Sequence, residues 1–439
     1  MNNKEEKKAK LGLALSGGGY RAAAFHLGVF RKLNKLNILE KIDVISCISG
    51  GSIAGAYYVL NKDNFEEFEK SFTANLQKSC IRRIIFSYRF LLPIFIFAAI
   101  AYFLLNDPFS INFPTWLVVS IICAIVLSPV LIQFRIVSFT ALKIKAYRKI
   151  FFGNKKLADL PDHPILAINS TNLSTGTLWT FSKNKMSDSS YEFPKDGGDS
   201  IKFNGNDFSI AVAVASSSSV PVPFDPVKIP ISYFKNANDF KRIKPRLIDG
   251  GLYDNQGLHK LTQRNSSYAC DVIIVSDGSQ PFSNKFFANN TPFILYRGID
   301  VMMRKIKNLQ FIRDVYGKSK EIAYFSLDWE YSRCVVEFVA AAKKDQVPEH
   351  VLVHHGLTEE VLEKPFAEIN EFIRKKINFD SIVENALNEQ QIEKISRIGT
   401  NLTALTKEKI ALLSKHGEIL TDLQIKLYCT TLNKSNEHS

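Results

Sequence analysis

Hydrophobic residues in this chain fall in short runs that end at glycines. Leu11 to Leu15 is an apolar run that reads as a buried strand. Gly17, Gly18 and Gly19 form a turn. Ala22, Ala23, Phe25, Leu27, Val29, Phe30 and Leu33 then give a mostly apolar helix ending near Asn37. Ile42 to Ile48 reads as a second strand and Ser52 to Leu60 as a second helix. Strand, glycine turn and helix, twice over, predict a parallel α/β sheet.

That grammar is then interrupted. Phe90 to Leu105 carries no charge, Asn106 to Asn112 is a polar break, and Phe113 to Phe134 is again uncharged. At 1.5 Å per residue the second run is about 33 Å long, against roughly 30 Å of bilayer hydrocarbon. The first is shorter, unless it reaches back past Arg89 with that side chain snorkelling to the interface. Together they read as a transmembrane helical hairpin. Arg82, Arg83 and Arg89 precede it, Arg135, Lys143, Lys145, Arg148 and Lys149 follow it, and the turn holds only Asp107. The positive-inside rule therefore puts both flanks and both termini in the cytoplasm. A buried helix pair and a hairpin resting in one leaflet are the competing readings.

The soluble pattern resumes with candidate strands at Ile165–Ile168, Arg246–Ile248 and Val272–Val275. Phe208 to Val214 is an apolar stretch leading into a serine run. Lys183 to Gly205 reads as the least structured stretch. From about Leu357 the chain is charged and helical in period. There is no internal repeat.

Composition sharpens this picture. The 439 residues suffice for a large core, and the net charge of +13 points to an anionic partner. The basic residues cluster beside apolar spans, which favours an anionic membrane surface over nucleic acid. The six cysteines are scattered with no CxxC pair, so neither a disulfide framework nor a zinc site is expected, and a reducing compartment fits. The charged N-terminus leads into an apolar run too short for a signal-peptide core. No metal or cofactor is expected.

Three places carry candidate chemistry. Ser49 follows a strand and precedes a helix, as in the G-x-S-x-G elbow, with Gly51 at the second following position but Cys47 where the first glycine belongs. The loop Gly17-Gly18-Gly19 has two readings. Gly17, Gly19 and Ala22 match a dinucleotide fingerprint, but the second strand ends in Ser46-Cys47-Ile48-Ser49 without the acidic ribose anchor. Backbone N–H groups at a helix start can instead hold an oxyanion. Asp249, between an apolar run and two glycines, is a candidate general base for Ser49 or an ordinary Asp-Gly turn. Asp254 is a second carboxylate nearby. A Ser-Asp-His triad would draw on His259, His350, His354, His355 or His416, none of which sits in a recognisable loop motif, and His354-His355 reads as a strand end.

Gly17-Gly18-Gly19-Tyr20-Arg21, Ser49-Gly50-Gly51-Ser52 and Asp249-Gly250-Gly251, in this order, resemble the patatin-like phospholipase family, as does Ala211 to Val227 ahead of the aspartate. The resemblance covers about Leu11 to Asp277 without the hairpin. It implies a three-layer α/β fold, with a mostly parallel central sheet flanked by helices, an inserted hairpin and a helical C-terminal region. The implied division is residues 1–80 and 151–300 for the catalytic domain, 81–150 for the hairpin with its flanks, and 301–439 for the helical region. The implied activity is hydrolysis of lipid acyl esters, of phospholipase A or lysophospholipase type, by a Ser–Asp dyad. Ser49 would be the nucleophile and Asp249 its base. Gly17, Gly18 and Gly19 would form the oxyanion hole, with Gly51 at the elbow and Arg21 fixing the loop or facing a lipid phosphate. An acyltransferase with the same dyad, and a non-catalytic membrane adaptor on this fold, are the alternative functions.

Overall fold

In the computed structural model, residues 9–106, 111–195, 197–282 and 290–434 are described. The charged Met1–Lys8 stretch and Asp107 lie outside them. β1 (Leu11–Leu15) turns through the glycines into α1 (Gly19–Lys35), and β2 (Val44–Cys47) turns directly into α2 (Ser49–Leu60). The apolar helices α3 (Tyr88–Asn106) and α4 (Thr115–Leu131) follow, then α5 (Phe139–Tyr147). The chain returns through β3 (Ile165–Asn172), β4 (Thr177–Ser182) and β5 (Lys185–Asp188). Next come α6 (Ile210–Ser217), β6 (Val227–Lys228), β7 (Arg246–Asp249) and β8 (Val272–Asp277). Among the remaining elements, α7 (Thr291–Gln310), β9 (Glu321–Ser326) and the long α8 (Lys407–Tyr428) matter most below.

The strands form one sheet in the order β5-β4-β3-β2-β1-β8-β9, with β7 also on β3 and β6 on β7. Its centre is parallel: β1 pairs with β2 and β8, β2 with β3, and β8 with β9. The remaining pairs are antiparallel. The sheet is therefore mixed, where a mostly parallel one was expected. The reason is local. Tight turns join β3 to β4 and β4 to β5, and such links only join antiparallel neighbours. The stretch at Lys183–Gly205, read as irregular, supplies β5, whose Met186, Ser187 and Asp188 are all buried.

Strand alternation sorts the core into two layers. Leu11, Leu13, Leu15, Ile45 and Ile168 face the large core built with α1, α2 and α8. Ala14, Val44, Ala167, Ile273 and Val275 face a smaller one closed by Leu258, Leu261 and Tyr268. α8 lies against α1 so closely that a Cβ on Gly28 would sit 1.7 Å from the Ser414 carbonyl oxygen. The helical C-terminal region thus packs on the first helix of the chain and gives β9 to the sheet.

The apolar insertion does not share this core. α3 has no buried residue, and Phe95 and Leu105 are each 68% exposed. By length and composition α3 can cross a membrane. The apolar part of α4, Thr115–Leu127, is shorter. Helix formation begins only after Pro114, which removes Phe113 and Pro114 from the expected span. One helix of the expected pair, not two, meets the requirement among the described residues.

Candidate active site

Sheet register brings the second glycine turn and the aspartate together. β2 runs along one edge of β3 and ends with Cys47 opposite Ile168. β7 takes the same edge from the other direction and ends with Asp249 opposite Ser170. Both β3 residues carry β4 on their other edge, at Phe181 and Trp179. The chains converge from opposite ends on Asn169, so Ser49 and Asp249 meet there although 200 positions separate them in the sequence.

Ser49 has φ +49°, in the left-handed region that a serine rarely adopts. The surrounding bonds hold it there. Its N–H donates to Ser217 Oγ at 2.9 Å, and Ser217 donates in turn to the Asn169 carbonyl at 2.6 Å. Ser52 Oγ joins Ser217 at 2.9 Å. The turn also needs glycine. A Cβ on Gly50 would lie 2.3 Å from Gly19 O, and one on Gly51 would lie 2.3 Å from Leu15 O. Gly51 N–H donates to Ser16 O at 3.0 Å, fastening the elbow to the end of β1. Cys47, the departure from the motif, is buried in β2 and donates weakly to Ala167 O at 3.4 Å. Burial pushes its thiol up to about 12, so it stays neutral.

Asp249 is buried. Its Oδ1 accepts from Gly251 N–H at 2.7 Å, while Oδ2 has no hydrogen-bond partner. Burial raises its carboxyl from 3.8 to about 6. The Gly251 bond, the charge of Lys143 and the nearby Ser49 hydroxyl oppose that rise. Ser49 exerts its effect without completing a bond to Oδ2.

Lys143, expected in the basic flank of the hairpin, is instead fully buried on α5. Its ammonium donates to Ser218 O at 2.8 Å and Ser219 Oγ at 3.0 Å, and lies 3.9 Å from the Phe224 ring centroid. Ser219 O accepts from Asp249 N–H at 2.9 Å, so the lysine braces the loop that holds the aspartate. Burial lowers the Lys143 pKa to about 7, against the pull of Asp249 and Asp225.

The glycine loop is seated against the elbow. Gly17 N–H donates to Asn255 O at 2.9 Å, so it is spent and cannot serve an oxyanion as expected. Gly18 (φ +142°) lines the cavity. Gly18 and Gly19 precede the first intrahelical bonds of α1, and among the described residues their N–H groups have no acceptor. Arg21 does not face the cavity. It is fully buried, donating to Gly278 O and, at 2.6 Å, to Ile398 O. In that position it does not meet a lipid phosphate in the cavity. His26, which the sequence did not single out, contacts Ser276 Oγ at 2.8 Å and Ser16 O at 3.0 Å beneath the loop.

Ser49, Asp249 and Gly18 open onto a cavity of about 460 Å³ that Val220, Pro221 and residues of α7 also line. That volume suits part of a lipid-sized ligand. Asp254 is committed elsewhere, accepting from Gln256 N and His259 N. Three histidines of the rival triad are also engaged away from Ser49. His350 meets Glu321, His355 meets Leu427 O, and His416 meets Tyr331 and Leu327 O. His354-His355 ends a helix, Glu349–His355, rather than a strand, because Pro348 starts it and Val351 and His355 bury one turn apart. Among the described residues no cluster of metal ligands occurs.

No curated protein matches the chain. Among solved structures, human GIVD cytosolic phospholipase A2 aligns over 100% of this chain and 64% of its own, at 12% identity and TM-score 0.48. The same enzyme in complex with methyl gamma-linolenyl fluorophosphonate and terbium chloride aligns at 13% and 0.49, with 61% of its chain covered. VipD from Legionella pneumophila aligns over 98% of this chain and 87% of its own, at 14% and 0.30. The chain spans less than two thirds of the human phospholipase. More than half of the sequence, residues 13–261, matches the model of the patatin-like phospholipases, and the chain belongs to that family.

Proposed function

We propose that this protein is a membrane-associated serine lipid acyl hydrolase, of phospholipase A or lysophospholipase type. The observation that carries the reading is the meeting of Ser49, at φ +49°, with the unpartnered Oδ2 of buried Asp249 at one cavity. Asp249 takes the proton of Ser49 Oγ as the oxygen attacks the ester carbonyl. The tetrahedral oxyanion is held by the N–H groups of Gly18 and Gly19. On collapse, the C–O bond to the leaving alcohol breaks and Asp249 protonates that alcohol. Water then attacks the acyl-enzyme, Asp249 accepts its proton, and the fatty acid leaves as Ser49 Oγ regains a proton. α3 and α4 seat the chain in the membrane, with the catalytic domain and both termini on the cytoplasmic side. Residues 1–80 and 151–300 make the catalytic domain, 81–150 the membrane insertion, and 301–439 the helical region.

The test is hydrolysis of phospholipid in anionic vesicles by wild type, Ser49→Ala and Asp249→Asn. Both variants should fall at least about 10³-fold with the fold intact by circular dichroism. Activity retained in Ser49→Ala would overturn the mechanism.

A further inference from the structure

α7 is amphipathic in the reverse sense to an ordinary surface helix. Its charged side turns inward: Arg297, Asp300, Arg304 and Lys307 line the cavity. Lys307 pairs with buried Asp277 at 2.6 Å, and Arg297 and Arg304 lie 3.6 and 4.6 Å from the Phe282 ring centroid. The opposite stripe recurs at helical spacing as Ile294, Val301, Met302 and Leu309, continued by Ile312 beyond the helix. It faces out, with Met302 63% and Ile312 64% exposed. A surface helix ordinarily hides its apolar stripe and shows its charges.

What covers the stripe is identified by its surroundings. Lys305 is exposed within the stripe, three positions after Met302 and four before Leu309, where its long side chain can reach up to an anionic headgroup while its stem lies along the apolar surface. Val220 and Pro221 line the same cavity as α7, and a few residues on Asp225 accepts from Ser138 Oγ at 2.8 Å and Thr140 N at 3.0 Å. Those residues begin α5, directly after the apolar helices. The cavity lining and the root of the insertion are therefore tied to one short piece of chain. We propose that α7 lies in the interface of an anionic bilayer, its Ile294–Ile312 stripe among the acyl chains and its charged face turned to the cavity. The cavity's use for lipid rests on the hydrolase reading, but the immersion itself needs no turnover.

The full chain, with exposed Cys123 changed to serine, is reconstituted in phosphatidylcholine–phosphatidylglycerol vesicles. A nitroxide is attached at Met302→Cys, Leu309→Cys or, as an aqueous reference, Lys344→Cys. The ratio of oxygen to nickel collision rates should be several-fold higher at 302 and 309 than at 344. Equal, water-like ratios overturn the proposal, as does dipolar broadening between labels at 302, which marks a second copy on the stripe. In a second arm, the double variant Val301→Lys, Met302→Lys should lose roughly tenfold activity on vesicles and keep it on a soluble short-chain ester. Equal loss on both substrates, or none on either, overturns the proposal. If wild type hydrolyses neither substrate, the hydrolase reading fails while the collision ratios still decide the place of α7.

Discussion

Gly251 N–H donates to Asp249 Oδ1 at 2.7 Å, leaving the buried Oδ2 as the carboxylate's one unengaged oxygen. With its pKa near 6, Asp249 is a base at neutral pH and an acid just below it. Hydrolysis should therefore show an acid limb in kcat/KM near pH 6, falling tenfold per pH unit beneath it. Lys143→Met removes a charge that lowers this pKa and should move the limb up by roughly 0.5 to 1 unit. The pH profile of both proteins on one substrate checks this. A purely structural role for Lys143 would lower the rate without moving the limb.

The same raised pKa has a cost in stability. A carboxyl at about 6 when folded and 3.8 when unfolded favours the fold below 3.8 and loses that contribution as pH rises through 6. Above pH 6 the wild type holds a charged group that prefers water, at a cost of about 3 kcal/mol. Asp249→Asn should therefore be inactive yet more stable than wild type at pH 8, where Lys143 is mostly neutral, by up to that amount. The gain should vanish at pH 4, where Asp249 is largely protonated. Urea denaturation at the two pH values reads the difference.

Gly50→Ala tests the seating of the glycine loop. The new methyl would lie 2.3 Å from Gly19 O and 2.7 Å from Gly19 N. Backbone on both sides leaves no flexible neighbour to move aside, so the loop must shift away from Ser49. We expect a loss of roughly 10²-fold or more in kcat, the scale of losing one oxyanion donor. Wild-type kcat with the substitution in place would show that the loop's position does not matter.

The parts of this site legible in the sequence are those written in consecutive residues. Gly17 to Gly19, Ser49 with its glycines, and Asp249 each depend on a backbone turn, and turns leave local signatures. The braces were not legible, because their partners are remote. Lys143 bonds to Ser218 and Ser219, His26 to Ser276, and Ser49 N to Ser217. Nothing in the residues beside Lys143 distinguishes it from the lysines and arginines around it. Periodicity likewise found β1, β2, β3, β7 and β8 but not the antiparallel turn of the sheet at β4 and β5, short strands in which Trp179, Phe181 and Met186 enter the core among polar neighbours.

The position of β1 bears on how the protein is made. β1 pairs Leu13 with Ile45 on one side and with Ile274 on the other. A ribosome releases the N-terminus first. The first neighbour emerges soon after β1, the second only after α3 and α4 have been synthesised, and past residue 261 where the family match ends. While the chain grows through the 200 positions that separate them, Ser49 has no Asp249, and β1 offers an unpaired edge. The apolar helices are thus complete while the proposed catalytic pair is not. On the proposed hydrolase reading, the growing chain has no activity on lipid until Asp249 has joined Ser49, with no inhibitor needed.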